Sequence, residues 1–251
     1  LWTLSEDDDV CERVIRRGHT LAALPQAGIP EYTEMAIVMN NTGYGFDRTS
    51  LHGPVVRIQE MADVLRHVDA GGILGSAPVI DVVNCLRRTD EPGFAGGVFV
   101  VVRCHDRETW ELLRQKGHVL SRDGTHAMIY LPFHLLGVET ATSIFTAATL
   151  GLPTGGGDVR PIAEVGIQAT ESLQAGSSLT MDRGHAVAGA APLFLRPKRG
   201  AMDTPIPFYM AAGNTLAQDV DAGTVITYKM VQEPPDSTLW ALKREQDRLF
   251  L

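Results

Sequence analysis

The sequence predicts a two-domain α+β chain in which a mixed sheet with helices on one side is followed by a small β-rich domain. Up to residue 150, stretches with helical spacing of apolar residues alternate with stretches rich in β-branched residues. Residues 151–158 contain four glycines and one proline, which is the composition of a linker. A repeated segment follows the linker. We therefore expect one domain at residues 1–158 and a second at residues 159–251.

The elements of the first domain follow from local patterns. Residues 54–68 carry apolar residues at helical spacing after Pro54, which suits a first helical position, so this segment is predicted as an amphipathic helix. Periodicity leaves residues 32–41 open between helix and strand, and we favour helix. The remaining predictions are helices at 7–17, 106–116 and 132–150, and strands at 79–86, at 97–103 and in the segment that ends at Leu131.

The second domain contains an internal repeat. Residues 169–180 (ATESLQAGSSLT) and 216–227 (LAQDVDAGTVIT) align without gaps, and each copy carries an Ala-Gly pair at the same position. This pattern predicts strand, tight turn and strand twice over, with the two turns equivalent about a pseudo-twofold axis. A short polar helix is predicted at residues 237–250.

The composition and net charge of the chain argue against two classes of binding partner. A net charge of −8 and a pI near 5.5 argue against nucleic acid, because binding to a phosphate backbone needs clustered Lys and Arg. No apolar run approaches the roughly 20 residues that span a bilayer, so we expect no membrane partner and a cytoplasmic location. The chain opens on Leu1 without an initiator Met, which suggests a piece of a longer protein.

The cysteines predict neither disulfides nor a metal site. The three cysteines are far apart in sequence and none belongs to a CxxC pair. Cys104, His105 and Asp106 are adjacent, but neighbouring residues on a strand point to opposite faces and cannot close around one ion. We therefore expect no bound metal.

Several motifs together resemble a known family. The repeat is similar to the SAF domain, a small β-clip module, and residues 130–139 (YLPFHLLGVE) followed by 150–155 (LGLPTG) resemble a group of predicted homoserine dehydrogenases that includes the deoxyxylulose-phosphate-reductoisomerase-like enzymes. Residues 34–43 and the tail at 235–250 also resemble that group. The resemblance implies an NAD(P)-dependent oxidoreductase whose second domain is SAF-like.

In that family an N-terminal Rossmann domain binds the nicotinamide cofactor. The glycine-rich stretches 43–45 and 155–157 do not match the dinucleotide fingerprint, so we expect the Rossmann domain to be missing and this chain alone to bind no NAD or NADP. The resemblance implies NAD or NADP in the parent enzyme, a small hydroxylated or phosphorylated substrate and a homo-oligomer. The alternative is a non-catalytic module that binds a sugar or sugar acid, or serves in assembly.

The resemblance also implies a pair of catalytic residues, His134 and Glu139. His134 is predicted in the first turn of its helix, where the helix dipole favours the neutral imidazole and free backbone N–H groups can receive an anionic substrate. The five-residue spacing does not make the two side chains ideal neighbours. The alternative for His134 is a structural imidazole bonded to a backbone carbonyl.

Four further residues are candidate substrate ligands. Asn41 and Thr42 carry an amide and a hydroxyl suited to a sugar or phosphate, although the same residues also make an ordinary helix-ending turn, which the composition favours. Arg122 flanks a predicted hairpin, where a solvated turn is the simpler interpretation. Tyr130 opens the family-like motif.

Overall fold

The protein is described by a computed structural model that covers residues 2–24, 32–94, 96–103, 105–133 and 135–251. The chain divides into two compact units, Leu1–Gly28 with Leu51–Gly155, and Ile29–Ser50 with Gly156–Leu251. This division differs from the expected single boundary near residue 158, because the segment Ile29–Ser50 packs with the C-terminal residues. The rings of Tyr32 and Phe194 stack with centroids 4.6 Å apart, and the Phe194 N–H donates to the Thr49 carbonyl at 2.8 Å.

The elements, in chain order, are α1 (Val10–Leu21), α2 (Tyr32–Thr42), β1 (Val55–Val56), α3 (Met61–Val64), β2 (Asn84–Cys85), β3 (Val98–Arg103), α4 (Arg107–Gln115), β4 (Val119–Leu120), β5 (His126–Leu131), α5 (Leu136–Leu150), β6 (Glu164–Ala169), β7 (Ala190–Leu195), α6 (Phe208–Ala211) and α7 (Thr238–Phe250). Short 3₁₀ turns lie at Ile58–Glu60, Val68–Ala70 and Tyr228–Met230. The helix favoured for residues 32–41 is confirmed as α2.

An antiparallel sheet in the order β3-β5-β4 forms the centre of the first unit. The predicted strand at 97–103 is confirmed as β3, whose β-branched side chains suit a pleated surface. The register pairs Val98 with Leu131 and Val100 with Ile129, and these four apolar side chains are exposed. Met128 faces the other way into a core cluster that also contains α3. The sheet therefore has one buried face and one exposed apolar face.

The prediction of an amphipathic helix at residues 54–68 is wrong. The segment forms β1, the turn Ile58–Glu60 and the four-residue helix α3, and β1 pairs in parallel with β2. Most of its apolar side chains are buried on every side, including Val56, Met61 and Val64 at 0% exposure. In this segment the helical spacing of the apolar residues reflects their burial in the core and not one face of an amphipathic helix. The predicted strand at 79–86 is likewise shorter, since only β2 is a strand.

The two helices that flank the sheet differ in burial. The predicted helix at 106–116 is confirmed as α4; Asp106 caps it by accepting the Glu108 N–H at 3.1 Å, and Trp110 is buried. The predicted helix at 132–150 begins later, at Leu136, and ends at Gly151 with φ of 64°. Apart from half-buried Thr146, every described side chain of α5 is exposed. Among the described residues, no helix has both the length and the apolar character to cross a membrane.

In the second unit, β6 and β7 form an antiparallel pair against which α2 packs. The repeat folds as two copies that hydrogen-bond to each other. Leu173 and Val220, which occupy the same position in the two copies, exchange hydrogen bonds of 2.8 and 2.9 Å. The predicted terminal helix is confirmed as α7, with Ser237 as its N-cap.

Equivalent hydrogen bonds recur about this pair. The N–H of Gly176 donates to the Leu216 carbonyl at 2.9 Å, and the N–H of Gly223, its counterpart, donates to the Ala169 carbonyl at 2.8 Å. Both glycines are left-handed, with φ of 81° and 84°. Since Leu216 and Ala169 are also equivalent, the exchange has the symmetry of a twofold axis. The two Ala-Gly turns thus adopt the same conformation from the same sequence.

Candidate functional site

A buried carboxylate–imidazole pair lies in the first unit. Asp81 Oδ2 is 2.6 Å from Nδ1 of His52, and the two side chains are 6% and 4% exposed. The same carboxylate accepts the backbone N–H groups of His52 at 3.0 Å, Gly53 at 3.2 Å and Val82 at 2.8 Å. With four donors converging on one carboxylate, the imidazole has a fixed orientation. We assign the Nδ1 proton to the bond with Asp81, which makes Nε2 the basic atom of the neutral ring.

The parallel pairing of β1 with β2 brings His52 and Asp81 together. His52 shortly precedes β1 and Asp81 shortly precedes β2, and because β1 and β2 run parallel, the two approach segments lie side by side. Asn84 Nδ2 donates to the Gly53 carbonyl at 3.1 Å and closes the contact. The residues on both sides of His52 have positive φ, 59° at Leu51 and 53° at Gly53. Left-handed backbone at a non-glycine residue costs roughly 1–2 kcal/mol, and such strain clusters at functional sites.

A buried ion pair holds the same strand to the N-terminal helix. Arg17 of α1 donates from both Nη atoms to the Glu60 carboxylate, at 2.7 and 3.1 Å, and Nη1 also donates to the Val55 carbonyl at 3.0 Å. Glu60 further accepts the backbone N–H groups of Leu4 and Arg57, at 2.8 and 3.0 Å. The side chains of the pair are 1% and 5% exposed. This arrangement fixes β1, and with it the segment that carries His52.

The structure places Asn41 and Thr42 in the last turn of α2, in the second unit. Asn41 Nδ2 donates to the Ile37 carbonyl at 2.8 Å, and its Oδ1 accepts the Gly156 N–H at 3.2 Å. Thr42 Oγ1 donates to the Val38 carbonyl at 2.8 Å. The polar atoms of both side chains are therefore engaged with main chain, as in a helix-ending turn.

Arg122 lies in the turn between β4 and β5, and Tyr130 lies near the end of β5. The Arg122 guanidinium donates to the Ser5 and Glu6 carbonyls, and its Nε is 3.4 Å from Asp63 Oδ1, so it ties the N-terminal segment to α3. Tyr130 is half-buried on the inner face of the sheet, with its ring 5.8 Å from that of Phe94. Arg122 is thus an exposed residue of a hairpin turn, as the simpler interpretation expects, and its guanidinium also holds the N-terminal segment.

Of the two predicted catalytic residues, only Glu139 lies within the described residues. Glu139 is exposed in the first turn of α5. His134 lies outside the described residues, so its pairing with Glu139 stays a prediction. The residues that sequence reasoning missed are His52 and Asp81. They are 29 positions apart, and the one local signal is that His52 precedes a Gly-Pro pair, which is typical of a turn.

Neither glycine-rich stretch has the setting of a pyrophosphate loop. Residues 43–45 follow α2 and residues 155–157 follow α5, and neither stretch lies between a strand and the start of a helix, as such a loop requires. In the part of the chain that the structure describes, no group of three or more His, Cys, Asp or Glu side chains is arranged to hold a metal ion.

The comparison with protein families finds a match in the N-terminal half of the chain. Residues 26–140 match the family of the oxidoreductase DRL catalytic domain, and this range includes the segment Ile29–Ser50 of the second unit. The matched range contains both His52 and Asp81. No curated protein shows a significant match to the chain. An oxidoreductase catalytic domain is thus what the N-terminal half of this chain is similar to.

Proposed function

We propose that this chain is the catalytic and C-terminal portion of an NAD(P)-dependent oxidoreductase that acts on a small hydroxylated or phosphorylated substrate. One observation carries the proposal: the buried His52–Asp81 pair lies within the segment that matches an oxidoreductase catalytic domain. A carboxylate that orients an imidazole is a recurrent acid–base arrangement. Interconversion of a hydroxyl and a carbonyl requires such a group.

In this proposal His52 handles the proton. Oxidation of a hydroxyl removes its O–H proton, which Nε2 accepts, and reduction of the carbonyl returns that proton from Nε2 to oxygen. Asp81 stabilises the imidazolium formed in between. A nicotinamide cofactor would supply or take the hydride, and the proposal for the residues of this chain is confined to the proton. Because His52 is 4% exposed, substrate reaches the ring only when the segment around Leu51 and Gly53 moves.

The C-terminal repeat supports a SAF-like character for the second unit, which is part of the same proposal. The exchange of hydrogen bonds between Leu173 and Val220, with matching glycine turns, is what we expect of a SAF-like β-clip. The proposal gives this unit a scaffolding role and assigns no chemistry to it.

The test uses the complete protein that contains this chain. Oxidation of NADH and NADPH is followed with a panel of small hydroxy acids, sugars and their phosphates in both reaction directions. We expect His52→Gln to lower kcat by roughly a hundredfold or more, the usual scale for losing an acid–base group, and Asp81→Asn to act in the same direction. The matched control is His19→Gln, since His19 is exposed on α1.

Thermal unfolding of each variant separates lost chemistry from lost structure. A folded His52→Gln variant with unchanged kcat would exclude the acid–base role. Turnover that needs no nicotinamide cofactor would exclude an NAD(P)-dependent reaction.

A further inference from the structure

Three arginines surround one tryptophan and one glutamate in the first unit. The Cζ atoms of Arg57 and Arg88 lie 5.1 and 5.2 Å from the ring centroid of Trp2. Glu91 joins the group: its carboxylate accepts from Arg57 Nη2 at 2.6 Å and from the Arg88 backbone N–H at 2.9 Å, and its carbonyl accepts from Arg87 Nη1 at 3.1 Å. We call these five residues the arginine cluster.

The topology of the strands assembles this cluster. Arg57 directly follows β1, and Arg87 and Arg88 follow β2 after one residue. Since β1 and β2 are parallel, their carboxyl ends meet at one edge, and residues beyond them converge there. The crevice outside the carboxyl ends of parallel strands is where ligands of α/β sheets commonly bind.

The cluster has hydrogen-bond donors that the described protein does not use. The Nε of Arg57 is buried and has no hydrogen-bond partner among the described residues. Within the same described ranges, the Arg88 guanidinium makes no hydrogen bond or ion pair, and its contact is the face of Trp2. Guanidinium groups form strong charge-assisted hydrogen bonds with anionic acceptors, so the exposed Arg88 gives an acceptor from outside the chain a physical reason to bind here.

The net charge of the cluster indicates what kind of acceptor group it would bind. Three guanidinium groups and one carboxylate leave a local charge of +2, before the exposed Asp90 of the same turn is counted. The backbone N–H of Arg88, followed by the charge of Arg57, holds the pKa of the Glu91 carboxyl below its ordinary value, so that carboxylate stays ionised. A phosphate monoester carries about −1.5 to −2 at neutral pH and offers three acceptor oxygens.

We propose that the arginine cluster binds the phosphate group of a phosphorylated ligand, with the exposed Arg88 guanidinium as the principal contact and the Arg57 guanidinium as a second positive charge beside it. The two stacking distances place the Cζ atoms of Arg57 and Arg88 no more than about 10 Å apart, which one phosphate can bridge after rotation of the exposed Arg88 side chain. Planar guanidinium groups bind phosphate oxygens in bidentate fashion. This inference rests on the proposed function in one respect: it selects the phosphorylated class of substrate.

A purely structural role explains only part of the cluster. Stacking of Trp2 on Arg57 pins the N-terminal segment, which the hydrogen bond from the Leu4 N–H to Glu60 also holds. One guanidinium stacked on the indole of Trp2 is enough to hold the N-terminal segment in place. This structural role does not account for the hydrogen-bond donors of Arg88 or for the buried Nε of Arg57.

The experiment measures binding to the complete protein by tryptophan fluorescence and by calorimetry. The probes are inorganic phosphate, ribulose 5-phosphate with ribulose as its unphosphorylated match, and NADP⁺ with NAD⁺ as its match. We expect wild-type protein to bind phosphate and the sugar phosphate, and Arg88→Gln to weaken both by about tenfold, the scale of one charge-assisted hydrogen bond. Arg107→Gln is the matched control, because Arg107 is an exposed arginine of the same unit, on α4.

Each outcome decides the proposal. A tenfold loss confined to Arg88→Gln supports it, and the affected pair, sugar phosphate or NADP⁺, identifies the source of the phosphate group. Absence of phosphate binding by wild-type protein, or equal weakening by Arg88→Gln and Arg107→Gln, overturns it. Folding is checked by thermal unfolding, and Arg88→Lys serves as a second variant that keeps the charge and removes the bidentate geometry.

This result is separable from the test of the proposed function. Phosphate binding that depends on Arg88 without any redox turnover would leave the arginine cluster standing and reject the oxidoreductase. Turnover of a substrate whose KM is unchanged in Arg88→Gln would do the reverse.

Discussion

Different kinds of interaction stabilise the interior of each of the two compact units. In the first, charged side chains are buried against each other: Arg17 with Glu60, which lie 43 positions apart, and Arg66 with its near neighbour Asp63 at 3.3 Å. In the second, the two copies of the repeat are joined by backbone hydrogen bonds about equivalent glycine turns. The first unit thus depends on the identity of a few side chains, and the second on the conformation of its backbone.

The difference separates chemistry from scaffolding. Buried ionisable groups are costly to desolvate, and the first unit contains the buried Arg17, Glu60, Asp63 and Arg66 besides the buried side chains of the His52–Asp81 pair. The second unit has a smaller set, in which Lys243 bonds to Glu164 and to the buried Asp247 at 2.9 and 2.8 Å. Burial raises the pKa of the Glu164 carboxyl. Burial opposes the charge of Lys243, but the hydrogen bonds that it donates to these two carboxylates prevail and raise its pKa.

The sharpest test of this contrast breaks the buried pair of the first unit. Glu60→Gln removes the carboxylate that the buried Arg17 guanidinium contacts at 2.7 Å, and we expect a loss of about 3–5 kcal/mol in the free energy of unfolding. Urea denaturation at neutral pH measures it. The double variant Arg17→Met/Glu60→Gln should recover part of the loss, because the buried guanidinium is removed together with the carboxylate that it contacts. A loss below about 1 kcal/mol in the single variant would mean that the pair does not organise this unit.

The glycine turns of the repeat give a smaller and symmetrical effect. Gly176→Ala and Gly223→Ala should each cost about 1–2 kcal/mol, because a Cβ at positive φ is strained although nothing lies within 4 Å of it. Equal losses in the two copies would bear out their equivalence, and clearly unequal losses would count against it. Gly137→Ala is the control of opposite sign: this open position in α5 should gain up to about 1 kcal/mol.

The smallest expected effect concerns Asp123 and depends on pH. Burial opposes its ionisation, but hydrogen bonds from Ser121, Thr125 and Arg66 prevail and lower the pKa of its carboxyl well below the ordinary 3.8. A depressed folded-state pKa adds stability above the ordinary value and loses it as the pH falls below that value. Asp123→Asn should therefore cost about 1 kcal/mol or less at pH 7, since the side chain is 47% exposed and solvent screens it.

The pH dependence provides the check. Denaturation midpoints of wild type and Asp123→Asn should converge as the pH falls below about 4, where the unfolded-state carboxyl becomes protonated. A difference that stays constant between pH 7 and pH 3 would assign the effect to packing rather than to charge.

Local sequence signals determined much of the secondary structure. Asp106 as an N-cap, the β-branched run of β3 and the N-cap Ser237 each act within a few residues, so the sequence alone predicted α4, β3 and α7. The repeat is also legible from sequence, because identical Ala-Gly turns impose the same left-handed backbone in both copies.

Tertiary packing decided the remainder. Residues 54–68 have helical spacing yet form β1, a turn and α3, because most of their apolar residues are buried in the core, and spacing alone does not distinguish such a segment from an amphipathic helix. The assignment of the segment Ile29–Ser50 to the second unit depends on contacts such as that of Tyr32 with Phe194, far apart in the chain.

The candidate site likewise has features that local sequence determines and features that only the tertiary structure determines. Asn41 and Thr42 were singled out by residue type, but their polar atoms are engaged by nearby main chain once α2 forms. His52 and Asp81 carry no common local pattern, and only the parallel pairing of β1 with β2 brings an imidazole and a carboxylate 29 positions apart to 2.6 Å. Sequence rules act over a turn or a strand, whereas strand pairing joins residues at any separation, and the buried pair exists only through the latter.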